Sequence, residues 1–181
     1  MKIRILFLVV FFLFSINSFA ESSTKRIVLM DRHAYYINAI SDALKGINNI
    51  EEYRFTTTPD WGEERLIGRI NPHLTILHIS CFLDTKKPND QEFWKELLSF
   101  IEYMERYQTK FLLYSSSPYL KTDKAVKSHI SQIEKNVPAL KGKNRVFIFQ
   151  DPSKGMKDVD FRKKETALEL KRLVKNILEI K

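Results

Sequence analysis

Four short stretches hold residues able to do chemistry: Asp31-Arg32-His33, Ser80-Cys81, Ser115-Ser116-Ser117 and Gln150-Asp151. A thiol becomes a nucleophile when a base or a positive neighbour favours its thiolate. His33 would be that base and Asp31 would orient its ring, so Cys81, His33 and Asp31 form a candidate Cys-His-Asp set. The competing reading makes Cys81 a small buried hydrophobe, a common place for a lone cysteine. Arg32, Ser80, the three serines, Gln150 and Asp151 are candidates for binding. The serines, with Pro118 behind them, could hydrogen-bond an anion at a helix start; ordinary turn chemistry explains the same run.

Other chemistries find little support. The four histidines, His33, His73, His78 and His129, show neither HxxxH spacing nor, with Cys81, a CxxC pair, so no metal is expected. Neither glycine-rich phosphate cradle occurs, and no G-x-S-x-G elbow is present, so no nucleotide cofactor and no standard serine hydrolase is expected. His78 does not join Cys81. In a strand Leu74, Ile76, His78 and Ser80 share one face, and Leu77, Ile79 and Cys81 the other. His78 therefore reads as a core histidine.

The elements that position these residues are legible as apolar runs. Ile27 to Met30, ending at Asp31, fits a strand buried on both faces. The spacing from Ala34 to Lys45 predicts an amphipathic helix closed by Gly46. A strand is expected over Glu52 to Thr58, a helix over Trp61 to Ile70, and a third strand over Leu74 to Ile79. Asp90 caps an expected helix with Phe93, Leu97, Ile101 and Met104 on one face. Phe111 to Tyr114 and Val146 to Phe149 complete the strands; helices over Lys121 to Asn136 and about Val159 to Ile180 complete the pattern. Five strands alternating with five helices predict an α/β fold, a parallel sheet between two helical layers. With strand order 2-1-3-4-5, ligands bind beyond the carboxyl ends of strands one and three. All four chemical stretches fall on that edge.

The stretch IVLMDRHAYYINAISDALKG resembles the opening of a response-regulator receiver domain, where a strand ends in two acids, often followed by His. Asp31 matches the first acid and His33 the His, while Arg32 stands at the second acid. NPHLTILHI resembles the third-strand pattern whose last Asp accepts the phosphoryl group, and His78 holds that position. Ser115 matches the Ser or Thr that ends the fourth strand. Asp151, ahead of Pro152, stands where the family has Lys. The resemblance implies a flavodoxin-like fold. It does not carry over the phosphoryl chemistry, which needs carboxylates for Mg²⁺ and one more to accept the phosphoryl group.

The first twenty residues read as a leader. Lys2 and Arg4 precede an apolar run from Ile5 to Phe14, with small residues at Ser18 and Ala20. That run is too short to span a bilayer. One domain over 21–181, periplasmic or secreted, is the expectation, and a single Cys excludes an internal disulfide. The net charge of +8 is concentrated late: residues 121–181 hold 16 basic and 8 acidic side chains. A basic face favours a protein or an anionic envelope component, with membrane contact at most peripheral; nothing marks a specific nucleic-acid reader. Trp61, Trp94, Tyr35, Tyr36, Tyr103 and Tyr107 are the rings expected at the surface. Two functions follow: an exported, non-catalytic binding or adaptor domain, or a small periplasmic hydrolase or transferase using Cys81, His33 and Asp31.

Overall fold

The computed structural model describes residues 24–57, 64–78, 99–115, 145–156 and 159–180, with positions 128, 131 and 135. The expected leader, Ser80, Cys81, Ser116, Ser117, His129, Trp61 and Trp94 lie outside the described residues.

Five strands form one sheet: β1 (Lys25–Asp31), β2 (Ile50–Thr56), β3 (Leu74–His78), β4 (Lys110–Tyr114) and β5 (Val146–Ile148). Every pairing is parallel and the order is β2-β1-β3-β4-β5. The middles of the central strands are mostly apolar because both their faces are covered; Ile27 to Met30 and Leu74, Ile76 and Leu77 are fully buried. The edge strand β2 alternates instead, with Glu51 and Arg54 exposed. Charge at such an edge discourages further pairing.

Strand periodicity divides the core. Ile27, Leu29, Leu74, Ile76 and Leu112 pack beneath α1 (Ala34–Leu44) and α3 (Lys164–Leu178). Val28, Met30, Leu77, Phe111 and Leu113 pack against Ile67 of α2 (Glu64–Ile70) and against Phe100, Ile101 and Met104 of a helical segment at 99–105. Each such side chain, fully buried, contributes about 1.5–3 kcal/mol before chain entropy is charged against it. The three-layer α/β/α expectation holds. Positions 128, 131 and 135, inside the helix expected over 121–136, are helical. Among the described residues no helix is long and apolar enough to cross a membrane.

β2 and the last helix depart most from expectation. β2 starts at Ile50 and ends at Thr56, earlier than the predicted 52–58, because parallel pairing of Lys25 with Ile50 sets its register. The last helix starts at Lys164, not near 159. Val159 and Phe161 are buried in a tether ahead of it, and the Val159 N–H donates to the Ser115 carbonyl at 3.0 Å. The tether extends the reach of β4's end instead of adding a helical turn.

Candidate functional site

β1 and β3 are neighbours with Met30 beside Leu77, so their last residues, Asp31 and His78, lie side by side at the carboxyl edge. Asp31 is 2% exposed. One carboxylate oxygen accepts the His33 N–H at 2.8 Å, and His33 Nδ1 lies 3.5 Å from that same oxygen. The other oxygen accepts a hydrogen bond from the Tyr114 hydroxyl. Tyr114 is fully buried at the end of β4, wedged edge-on against Phe161 with ring centres 5.1 Å apart.

His78 stands next to Tyr114, ring centres 5.0 Å apart and planes at 85°. It is buried, as expected for a core histidine. Burial pushes its pKa down to about 4; the Asp31 carboxylate opposes that shift, and His33 and Arg32 reinforce it. His78 is therefore neutral at pH 7. The expected alternation holds for the described residues: His78 faces the α1 and α3 layer with Leu74 and Ile76, opposite Leu77.

The Asp151 carboxylate is engaged within the chain. It is buried, and one carboxylate oxygen accepts the Ser153 N–H at 2.8 Å, the Ser153 hydroxyl at 2.7 Å and the Lys154 N–H at 3.1 Å. The other accepts the Thr166 hydroxyl at 2.6 Å. Burial raises the pKa of this group, and the hydrogen bonds from Thr166, Ser153 and Lys154 outweigh it and hold it below the usual value. The Asp151 N–H and carbonyl also bond Gly155, whose φ of 74° closes the turn. Asp151 thus pins the loop after β5 to α3.

The other candidates divide. Gln150 is exposed and Arg32 half-buried at the same edge. Ser115 is buried, and its hydroxyl has no hydrogen-bond partner among the described residues. His33 and Asp31 are brought together as the triad reading requires, while Cys81, Ser80, Ser116 and Ser117 lie outside the described residues. Tyr114 was missed by sequence reasoning. Its place at the end of the run FLLY was the available signal, and its partner depends on a register that no local pattern reveals.

The aromatic surface is also built here. Tyr35, at the start of α1, is 48% exposed and carries the Arg162 guanidinium 5.0 Å from its ring centre. Arg162 in turn donates to both Asp160 oxygens, at 2.7 and 2.8 Å.

These residues do not fit a Mg²⁺ site of receiver type. Asp31 is engaged by Tyr114 and His33, Arg32 adds a cation where an acid would stand, and His78 is neutral. Among the described residues no group of three His, Cys, Asp or Glu is arranged to hold a metal ion.

No protein-family model and no curated protein matches the chain. Among solved structures it is similar to the response regulator domain of Thermotoga maritima CheB, at 16% identity and a TM-score of 0.52, over 87% of this chain and 98% of that one. A second match is the isolated REC domain of RcsB from Salmonella enterica serovar Typhimurium, in the presence of the phosphomimetic BeF3-. It has 14% identity and a TM-score of 0.42, over 62% of this chain and 73% of that one. The strand order, the two helical layers and the CheB match agree: the chain has the receiver-like, flavodoxin-like fold.

Proposed function

We propose that this chain is an exported, non-catalytic binding or adaptor domain that uses a receiver-like scaffold without receiver chemistry. The observation that carries this reading is the bond from the buried Tyr114 hydroxyl to Asp31. The one acid retained at the end of β1 is consumed inside the protein, and the place of the phosphoryl-accepting acid is taken by neutral His78. What remains at the carboxyl edge is a surface suited to contact: exposed His33, exposed Tyr35 and the Arg162 guanidinium above it. The partner is a protein or an anionic component of the cell envelope, and the basic excess of residues 121–181 favours its approach.

The purified chain, incubated with Mg²⁺ and acetyl phosphate, should show no phosphoryl adduct by intact-mass spectrometry and no fluorescence change. A stoichiometric adduct would overturn the non-catalytic reading. Fractionation tests the other half. The chain should appear in the envelope fraction with a mass beginning at Glu21; a cytoplasmic chain with its first twenty residues intact would remove export from the proposal.

A further inference from the structure

Four side chains at the carboxyl edge form an unbroken row. His33 lies edge-on to Tyr36 with ring centres 6.0 Å apart, and Tyr36 lies edge-on to Tyr35 at 5.3 Å. The Arg162 guanidinium then stands 5.0 Å from the Tyr35 ring centre. Edge-to-face rings and a cation over a ring face are favourable contacts, so the row holds its own geometry. Both ends are also anchored. The His33 N–H donates to Asp31, and the Arg162 side chain donates to both Asp160 oxygens. The row thus joins the first turn of α1 to the tether ahead of α3. It is nonetheless open to solvent, with the His33 side chain 68% exposed and Tyr35 48% exposed.

Most acids of this edge are engaged within the chain. Asp31 accepts from Tyr114 and His33, Asp151 from Ser153, Lys154 and Thr166, and Asp160 from Arg162. Glu165, in the first turn of α3, stays exposed. The cations are less occupied. Half-buried Arg32, beside His33, and exposed Lys163, beside Arg162, have no ion-pair partner among the described residues. The Arg162 fork carries five N–H donors, more than Asp160 and the Tyr35 hydroxyl engage. The edge therefore offers tyrosine and arginine, the side chains that dominate protein contacts, together with donors in want of acceptors. A glutamate side chain meets both demands. Its carboxylate reaches a guanidinium while its methylene stem lies on a tyrosine ring.

Resting on the non-catalytic binding reading above, we infer that the row His33, Tyr36, Tyr35, Arg162 is the docking surface for an acidic segment of a protein partner. Tyr35 and Arg162 bear the contact, and Arg32 and Lys163 hold further carboxylates at the two ends.

Fluorescence anisotropy of the purified chain at low salt tests this with a labelled decaglutamate peptide. Polygalacturonate and phosphatidylglycerol vesicles serve as competitors that carry negative charge without a peptide chain. The peptide should bind saturably, and at equal charge neither competitor should displace it as well as unlabelled peptide does. Tyr35→Ala and Arg162→Gln should each weaken binding about tenfold. Tyr35→Phe should retain it, and Lys175→Gln, in the last turn of α3 at the opposite end of the sheet, should leave it unchanged. No saturable binding overturns the inference. So does an equal loss in Lys175→Gln and Arg162→Gln, which marks diffuse attraction. Better displacement by polygalacturonate or by the vesicles also overturns it, moving the partner to a glycan or a membrane. A phosphoryl adduct with acetyl phosphate overturns the non-catalytic reading instead, whatever the peptide does.

Discussion

The Tyr114 hydroxyl donates to the Asp31 carboxylate across β3, joining the ends of two strands that are not neighbours in the sheet. His78, on the intervening strand, lies edge-on to the Tyr114 ring. Three side chains from three adjacent strands thus pack together beneath the candidate edge. A buried carboxylate is costly unless hydrogen-bonded. Here its donors are the Tyr114 hydroxyl and the His33 N–H, and both come from the chain itself.

Tyr114→Phe keeps the ring packed against Phe161 and removes the donor. The expected loss is about 2 kcal/mol, the range for a hydrogen bond to a charged group. It should appear as a lower urea midpoint with an unchanged slope. An unchanged midpoint would mean that water or another donor serves Asp31 equally well.

The buried imidazole makes stability depend on pH. The folded pKa of His78 is about 4, below its ordinary value of 6.5. Between those values the unfolded chain binds a proton that the folded chain refuses. The stabilisation is therefore complete above about pH 6.5 and is lost as pH falls toward about 4. The span is on the order of 3 kcal/mol at 1.36 kcal/mol per unit. His78→Phe should flatten most of this slope in urea titrations at pH 7.5 and 5. His73, shifted in the same direction, would leave a residual dependence. A wild-type profile flat between pH 7.5 and 5 would show that His78 charges freely in the folded state.

The fold was readable because its determinants are local. Ile27 to Met30 is an unbroken apolar run, and Leu74, Ile76 and Leu77 form another interrupted only by Thr75, since both faces of a central strand are covered. Gly46, with φ of 79°, ends the first helical region as its type demands. The candidate edge was readable because parallel strands deliver their carboxyl ends to one side. The Tyr114–Asp31 contact was not, since it spans 83 positions and depends on two registers at once. Val159 and Phe161 read as more of the last helix because apolar side chains in a tether look like a helical stripe.

Thr75, on β3, carries a fully buried hydroxyl that has no hydrogen-bond partner among the described residues. Valine has nearly the same shape and no polar atom to desolvate. Thr75→Val should therefore stabilise the protein by about 1 kcal/mol, the lower part of the range for a buried unsatisfied group. A rise in urea midpoint checks it. A fall would show that the hydroxyl has a partner worth more than its desolvation.

Gly68 lies within α2 beneath two tyrosines of the 99–105 helix and its following turn. A Cβ there would stand 2.7 Å from the Tyr107 hydroxyl, 2.8 Å from the Tyr103 hydroxyl and 2.9 Å from the Tyr107 ring carbon that bears its hydroxyl. Those hydroxyls face each other at 3.3 Å, and both side chains are half-buried, so neither ring retreats without loosening the packing around Met104. Alanine in place of glycine gains about 1 kcal/mol of helix propensity. Overpacking costs about 1–3 kcal/mol, so Gly68→Ala should be net destabilising by about 1 kcal/mol. Adding Tyr107→Leu removes two of these three contacts; the loss caused by Gly68→Ala should shrink in that background. An equal loss in both backgrounds would place the strain away from Tyr107.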